Sequence, residues 1–224
     1  MARVCVFDVN ETLLDMGALD PHFERVFGDA SARQAWFSQF LQLWLTEMVT
    51  GVYQEFGTIG GAALKMLAEG RGVEISDDEV GEILGGMKEM PPHPEVEEGL
   101  SRLRDAGFRL ATLTNSTQQV GDAQIENSGL RDYFEQTLSA DTAQRLKPAP
   151  EPYRMAAESL GVQIEEIRLV AAHGWDIAGA LRADCAAAFV ARPGKALFPT
   201  APRPDIVGAD LRDVADRIVA TEGG

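Results

Sequence analysis

Polar residues that could carry out chemistry follow four separate apolar runs of this sequence. Asp8 comes directly after the run VCVF, Thr114 and Asn115 end a second run, Lys147 follows a third, and Asp176 follows a fourth. A carboxylate at such a place can attack an electrophilic centre and form an ester or acyl phosphate. A hydroxyl and an amide can hold an anionic oxygen, and a lysine keeps a nearby carboxylate ionised. We interpret Asp8 as a candidate nucleophile and the other four residues as its supports.

Each of these residues also has an ordinary structural interpretation. An Asp at the end of a strand often caps a turn, and a Thr-Asn pair is common in turns. A Lys-Pro pair is common in solvated loops, and an Asp at the start of a helix is often an N-cap. The interpretation as a site therefore depends on the elements that bring the four segments together.

The apolar runs themselves have the composition of buried strands. β-Branched and aromatic residues predict strands over residues 3–9, 108–113, 136–139, 167–171 and 186–190. Helical segments near residues 95–106, 117–128, 150–160 and 176–184 alternate with them. This alternation predicts an α/β fold, with a doubly wound, Rossmann-like parallel sheet that has helices on both faces. Ligands of such sheets bind beyond the carboxyl ends of the strands, where the four polar groups are expected to lie.

Residues 15–90 follow a different pattern and contain no convincing strand. Apolar residues recur at i, i+3 and i+4 over residues 32–49 and 59–71, as they do in packed helices. The segment ends at PPHP, residues 91–94, a stiff extended stretch suited to a return crossing. We predict a core domain of residues 1–14 and 91–224, and an all-helical cap domain of residues 15–90 that lies over the site.

Charge and composition limit the partners of this protein. The 224 residues include 20 Lys and Arg against 35 Asp and Glu, and the formal charge of −15 repels nucleic acids and anionic membrane surfaces. Residues 15–90 carry five basic residues against thirteen acids, so an anionic substrate would need a local positive site. No apolar run approaches the ~20 residues that span a bilayer, and two cysteines make no disulfide framework. We expect a cytoplasmic protein that acts on a small molecule.

The order of residues on the four strand ends resembles the haloacid dehalogenase-like hydrolase superfamily, and the resemblance covers essentially the whole chain. Within it, the sequence looks most like the type II (S)-2-haloacid dehalogenases, which cleave the carbon–halogen bond of short 2-haloacids through an aspartyl ester and need no metal. The resemblance implies roles for seven residues: Asp8 as nucleophile, Thr12 as its hydrogen-bonding partner, Thr114 in the place of a serine, Asn115, Lys147, Tyr153, and Asp176, which orients or activates the hydrolytic water.

Two features distinguish this chain from the phosphatases of the superfamily. Asn10 stands where they usually carry a second Asp as general acid. In the segment VAAHGWD, residues 170–176, an alanine stands at the position of their earlier Mg²⁺-binding acid, and Mg²⁺ prefers carboxylate oxygens. Asp8 and Asp176 alone make a meagre magnesium site. We therefore predict that the protein needs neither a metal nor another cofactor.

Three positions depart from the dehalogenase pattern. Phe37 stands where that group has an arginine that faces the substrate carboxylate and the leaving halide. Arg33 lies one helical turn earlier, and it either replaces that arginine or is a solvated residue of the cap surface. Ala171 and His173 stand where a serine and an asparagine are usual. His173 is either a base with a pKa near neutrality or a polar loop residue.

The remaining candidates are predicted to line the substrate pocket. Asn10 lies beside the nucleophile in place of an aromatic residue, and Tyr153 follows Lys147 by six residues. Leu41, Phe56 and Trp175 line the apolar side of the pocket if the cap lies over Asp8, and are ordinary core residues otherwise.

These observations predict a metal-independent hydrolase that attacks a carbon centre of a small substrate, such as the halogen-bearing carbon of a 2-haloacid, through Asp8. One alternative is a small-metabolite phosphatase with a relaxed Mg²⁺ site. Another is a catalytically weak relative that binds a metabolite or a partner in the same cleft. A homodimer is one expectation, because many relatives in the superfamily are dimers.

Overall fold

The computed structural model describes residues 4–223 of the chain. Residue 3, which the sequence assigns to the first strand, lies outside the described residues, as do residues 1, 2 and 224 of the predicted core. The strands are β1 Val4–Phe7, β2 Arg109–Thr114, β3 Gln136–Ser139, β4 Ile167–Ala171, β5 Ala186–Val190 and β6 Ile206–Gly208. They form one parallel sheet in the order β3-β2-β1-β4-β5-β6. The predicted α/β fold with a parallel sheet is confirmed.

The α-helices of the described residues are α1 Asp20–Phe27, α2 Ala32–Thr50, α3 Phe56–Arg71, α4 Asp77–Gly86, α5 Val96–Asp105, α6 Gln118–Asn127, α7 Pro150–Leu160, α8 Gly174–Arg182 and α9 Leu211–Glu222. Between residues 4 and 223, none of the helices combines the length and the apolar character that crossing a membrane requires. α8 begins two residues before the predicted segment 176–184, because His173 is the last extended residue before the helix.

Strand β1 lies near the middle of the sheet and determines where the site can form. It pairs with β2 on one side and with β4 on the other. All four of its residues are buried, as expected of a central parallel strand that reads as a continuous apolar run. The residues that follow β1, β2 and β4 therefore meet at the carboxyl edge of the sheet.

Helices cover both faces of the sheet because successive strand residues point to opposite sides. Cys5 and Phe7 of β1 belong to a cluster that includes residues of α5 and α9. Val4 and Val6 belong to a second cluster, which includes residues of α7 and α8. The sheet is thus doubly wound, and α7 and α8 lie on the same face.

Residues 16–89, all of which are described, form helices α1 to α4 with two short 3₁₀ turns and no strand. We call this stretch the cap segment. The chain enters and leaves it side by side, since the backbone N–H of Asp15 donates to Pro91 O at 2.8 Å and that of His93 donates to Leu13 O at 2.9 Å. These bonds lie at the two ends of the predicted insertion, residues 15–90.

An aromatic stripe on α2 packs the cap segment against its surroundings. Trp36, Phe40 and Trp44 recur every four residues along the helix and are fully buried. Trp36 Nε1 donates to Gly60 O of α3 at 2.9 Å. Trp44 contacts a residue outside the cap segment, because its ring lies 5.3 Å from the ring of Trp175 at the start of α8. The same stripe therefore contacts both α3 and the sheet domain.

We expect Arg192 to anchor the loop that follows β1. Its guanidinium is buried, forms an ion pair with Glu95 and donates to Thr12 O at 2.8 Å. Arg192→Met should lower the free energy of unfolding by about 3 kcal/mol, because it leaves a buried carboxylate without its partner. Urea unfolding measures this change. Arg212→Met is the matched control, since Arg212 pairs with Asp210 on the surface and should matter much less. Equal losses in the two variants would contradict the prediction.

Candidate active site

Asp8 is the first residue after β1, and the structure holds it in place before any substrate arrives. Its backbone N–H donates to Val170 O of the neighbouring strand at 3.1 Å. Only 5% of its surface is exposed. Both carboxylate oxygens are engaged by side chains, one by Lys147 and the other by His173 and by Thr12 of the same loop. Lys147, Thr12 and His173, which the sequence analysis names as candidates, therefore all contact the candidate nucleophile.

Lys147 joins the two carboxylates of the site. Its Nζ donates to Asp8 Oδ1 at 2.9 Å and to Asp176 Oδ2 at 2.7 Å, and its side chain is fully buried. Asn115 fixes the backbone of this lysine through two hydrogen bonds. Its Oδ1 accepts from the Lys147 backbone N–H at 2.8 Å, and its Nδ2 donates to Lys147 O at 3.2 Å. The predicted support from Asn115 thus reaches Asp8 through the Lys147 loop.

Asp176 lies in the first turn of α8, on the far side of Lys147. Its Oδ2 accepts from Lys147, and its Oδ1 accepts from the Tyr153 hydroxyl at 2.5 Å. Tyr153, predicted to contact substrate, is buried against Asp176. Burial raises the pKa of Asp176, and the Asp8 charge adds to this, so that Lys147 offsets the rise only in part. Asp176 therefore shares the Lys147 ammonium group with Asp8.

His173 contacts the nucleophile directly. Its Nδ1 lies 3.1 Å from Asp8 Oδ2, and its Nε2 lies 2.8 Å from Glu11 Oε2. Thr12 completes this side of the site, because its hydroxyl donates to Asp8 Oδ2 at 2.6 Å and accepts from Ala172 N. The imidazole of His173 therefore contacts both the candidate nucleophile and Glu11.

Glu11 is the site residue that sequence reasoning missed. It lies three residues after Asp8 and adopts a left-handed backbone conformation with φ of 61°. Its carboxylate bonds His173 and also Lys195 Nζ, at 2.6 Å. Its only sequence signal was its place in the loop after β1. Lys195 had no sequence signal, because it lies in a distant loop after β5.

The charges of the site are set by burial and by these partners. Burial opposes ionisation of Asp8, but Lys147, His173 and Thr12 outweigh it and hold the pKa of Asp8 well below its usual range. Burial has the same effect on Glu11, yet His173 and Lys195 lower its pKa to about 2. Two ionised carboxylates accept hydrogen bonds only, so both nitrogens of His173 donate and the imidazole is protonated. Its pKa is accordingly raised, although burial works against the charge.

Aromatic rings enclose His173 on both sides. The Phe37 ring stacks on one face at 5.6 Å and the Trp175 ring on the other at 5.1 Å. Phe37 thus reaches the site from α2, where the family resemblance leads one to expect an arginine. Leu41, one turn further along α2, faces a cavity of about 300 Å³ that it shares with Trp175 and Pro148.

Several predicted residues meet partners other than Asp8. Arg33 bonds Asp20 Oδ1 at 2.5 Å and lies 3.6 Å from Glu11, so carboxylates hold it away from the nucleophile. Phe56 packs within the aromatic stripe, 4.3 Å from the ring of Phe40.

Two polar candidates near the site are likewise held by neighbours. The amide of Asn10 accepts from Gln124 at 2.8 Å and donates to Ser116 at 3.5 Å. The hydroxyl of Thr114 accepts from the backbone N–H of Ser116 at 3.2 Å. Both residues therefore shape the loop after β2.

The side chains around Asp8 offer few ligands for a metal ion. Among residues 4–223, no group of three or more His, Cys, Asp and Glu side chains is arranged to hold a metal ion. Asp8 and Asp176 are the two carboxylates closest to such an arrangement, and Lys147 Nζ lies between them. An ammonium group at this point repels a second cation.

Comparison with known proteins agrees with the fold. The sequence model of a protein family, the haloacid dehalogenase-like hydrolases, matches residues 2–184. (S)-2-Haloacid dehalogenase 4A of Burkholderia cepacia is 29% identical over 180 residues, which are 80% of this chain and 78% of that protein. (S)-2-Haloacid dehalogenase of Pseudomonas sp. strain YL is 28% identical over 222 residues, 97% of this chain and 94% of that protein.

A solved structure gives the same picture in three dimensions. L-2-haloacid dehalogenase from Xanthobacter autotrophicus, with chloropropionic acid covalently bound, superposes with a TM-score of 0.90 at 25% identity, covering 98% of this chain and 99% of that one. The fold and the family model together define a hydrolase. The chain belongs to the haloacid dehalogenase-like hydrolases, and it is similar to (S)-2-haloacid dehalogenases over most of its length.

We expect the proton on His173 to depend on Glu11. In the wild type, the pKa of His173 should lie above the ordinary value of 6.5, and that of His93 below it, because burial lowers the pKa of His93. Glu11→Gln removes one of the two carboxylates that raise the pKa of His173, so this pKa should fall while that of His93 changes little. NMR titration of the imidazole protons measures both groups. An unchanged His173 titration in Glu11→Gln would contradict the arrangement.

Proposed function

We propose that this protein hydrolyses the carbon–halogen bond of short 2-haloacids through an ester on Asp8, without a metal. The observation that carries the proposal is the buried Asp8 carboxylate, which Lys147, Thr12 and His173 hold in its ionised form. A carboxylate whose pKa lies below its usual range is ionised, and so able to act as a nucleophile, at neutral pH. The covalent chloropropionate reported for the similar enzyme of Xanthobacter autotrophicus supports an ester route.

In the first step, an oxygen of Asp8 attacks the carbon that bears the halogen. A C–O bond forms as the C–X bond breaks, and the halide leaves with the bonding electrons. Lys147 Nζ lies 2.9 Å from Asp8 Oδ1, and it keeps the carboxylate oriented as its charge moves into the new ester. No proton needs to move in this step, so no acid is required.

In the second step, water attacks the carboxyl carbon of the ester and needs a base. The resemblance suggests Asp176 for this role, but both of its oxygens are occupied by Lys147 and Tyr153. We assign the role to His173, whose Nδ1 lies 3.1 Å from Asp8 Oδ2. Esterification removes the charge of Asp8 and with it one of the carboxylates that raise the pKa of His173. The imidazole can then release its Nδ1 proton to bulk water, which leaves Nδ1 free to accept a proton from the attacking water.

Glu11 orients the imidazole of His173. It accepts from His173 Nε2 at 2.8 Å, which leaves Nδ1 facing Asp8. When Nδ1 takes the proton of water, the Glu11 carboxylate stabilises the imidazolium that forms. Collapse of the tetrahedral intermediate then breaks the ester C–O bond, and the leaving alkoxide takes the proton from His173 to give a 2-hydroxyacid. The new carboxyl group of Asp8 passes its proton back to His173, which restores the Asp8 carboxylate and the protonated imidazole.

The surroundings of Asp8 favour a short substrate. The carboxylate is nearly buried, and Phe37 and Trp175 close the space around His173. A magnesium-dependent phosphatase fits the same site less well, because Lys147 Nζ lies between the two carboxylates and the Asn10 side chain is bonded to Gln124 and Ser116.

The first test of this function is release of halide from 2-chloropropionate. We expect turnover that chelator does not reduce, and a loss on the order of 10⁴-fold or more in Asp8→Asn, because removal of a catalytic nucleophile has effects of this size. Halide and phosphate release are measured in parallel, on haloacids and on a panel of phosphomonoesters. Phosphate release that requires Mg²⁺ would overturn the proposal in favour of a phosphatase, and no product above the Asp8→Asn background would indicate a binding protein.

The second test separates the two chemical steps. His173→Asn should still form the ester but hydrolyse it slowly, so the ester accumulates and intact-protein mass spectrometry detects it after acid quenching. Glu11→Gln should accumulate it to a lesser extent. His22→Asn, which changes a histidine of α1 in the cap segment, is the matched control and should accumulate none. If His173→Asn turns over at the wild-type rate with no ester detected, His173 is not the base.

A further inference from the structure

A tight turn after β5 brings two cations to the loop that follows β1. Residues 192–195 read RPGK, and the Lys195 backbone N–H donates to Arg192 O at 3.0 Å. Pro193 suits the second position of such a turn, and Gly194 has the positive φ, 76°, that the third position of a type II turn requires. The turn therefore fixes how the side chains of Arg192 and Lys195 are spaced.

The two cations hold consecutive residues of the loop after β1. Arg192 donates to Thr12 O at 2.8 Å, and Lys195 Nζ donates to Glu11 Oε2 at 2.6 Å. Glu11 has a φ of 61°, a left-handed conformation that is unfavourable for a residue with a side chain. The bond to Lys195 therefore helps to keep Glu11 in a conformation that its backbone alone disfavours.

Lys195 and His173 share one oxygen of Glu11. His173 Nε2 lies 2.8 Å from Glu11 Oε2, the same atom that accepts from Lys195. Arg33 faces the other oxygen, Oε1, at 3.6 Å, and it donates instead to Asp20 at 2.5 Å. The Glu11 carboxylate thus lies between two cations, and the bond to Lys195 keeps it on the side of the imidazole.

Lys195 also contacts the cap segment. Its Nζ lies 5.4 Å from the centre of the Phe37 ring, within the range of a cation–π interaction, and the same ring stacks on His173 at 5.6 Å. Only 22% of the Lys195 side chain is exposed. One contiguous cluster thus joins α2 to three loops at the edge of the sheet, and it restricts where the ammonium group can lie.

We propose that Lys195 is a positioning residue, which holds the Glu11 carboxylate against His173 Nε2. This contact keeps the opposite nitrogen, Nδ1, directed at Asp8, as ester hydrolysis requires. Within residues 4–223, the side-chain hydrogen bond of Lys195 goes to Glu11, so the lysine acts through Glu11. Without it, the carboxylate is free to turn toward Arg33. The hold on Glu11 stands on these contacts alone, whereas the effect on the ester rests on the proposed function.

The first measurement needs no turnover. NMR titration gives the pKa of His173 in the wild type and in Lys195→Met. If Lys195 acted only as a nearby positive charge, its removal would raise the pKa of His173. A positioning role has the opposite sign, because a Glu11 carboxylate that turns away no longer stabilises the imidazolium. We therefore expect the pKa of His173 to fall in Lys195→Met, and an unchanged or raised pKa would overturn the proposal.

Two variants of the same cluster are matched controls. Lys195→Arg keeps a cation that reaches Glu11, and it should return the pKa of His173 toward the wild-type value. Arg33→Met removes the other cation that faces Glu11, and the pKa of His173 should not fall, because the bond from Lys195 remains. Equal falls in Arg33→Met and Lys195→Met would contradict a specific role for Lys195.

The second measurement follows the ester during a single turnover of 2-chloropropionate. Lys195→Met should release halide at the wild-type rate but hydrolyse the ester roughly tenfold more slowly, as expected for the loss of one charge-assisted hydrogen bond. Lys65→Met removes a surface lysine that pairs with Asp77, and it should behave as the wild type. Slower halide release with unchanged ester hydrolysis in Lys195→Met would overturn the assigned step.

A double variant shows whether Lys195 acts through Glu11. If it does, adding Lys195→Met to Glu11→Gln should slow ester hydrolysis no further. Losses that simply add would reveal an independent role and contradict the proposal.

Positioning and catalysis fail separately in this design. A protein in which Lys195→Met lowers the pKa of His173, but which releases no halide, retains the hold on Glu11 and loses the proposed function. An active dehalogenase in which this pKa does not fall retains the function and loses the role of Lys195.

Discussion

The ammonium group of Lys147, held between two buried carboxylates, is the interaction on which the site depends. Asp8 and Asp176 lie on separate segments, and without a cation between them their mutual repulsion and their loss of hydration would be very costly. The Asn115 side chain fixes the backbone of the lysine, and the Tyr153 hydroxyl satisfies the remaining oxygen of Asp176. One cation thereby keeps the nucleophile ionised and leaves little electrostatic reason for a metal ion at the same point.

A second chain of charges extends from the other oxygen of Asp8 to the surface. His173 and Glu11 come next, followed by Lys195 and Arg33, so positive and negative groups alternate outward. The basic residues near the site are therefore used to balance Glu11 and its neighbours. This arrangement explains how a protein with a formal charge of −15 can contain a cationic site.

Two departures from the dehalogenase pattern are in direct contact. Phe37 replaces an arginine and His173 replaces an asparagine, and the two rings stack at 5.6 Å. An arginine at position 37 would bring a second positive charge against a protonated imidazole, which would lower the pKa of His173 and loosen its bond to Asp8. The two residues therefore suit each other, and together they change how the site manages charge.

The sequence by itself determined the parallel sheet, the helical stretch near residues 15–90 and the positions of Asp8, Lys147 and Asp176, because periodicity and strand ends are local features. The family resemblance supplied Thr12 and Tyr153 as site residues. Only the tertiary structure decided what each side chain contacts. It joined Glu11 to His173 and to Lys195 across more than 160 residues, and it held Arg33 away from Asp8. Such contacts depend on how distant segments pack, and no local pattern of residues encodes them.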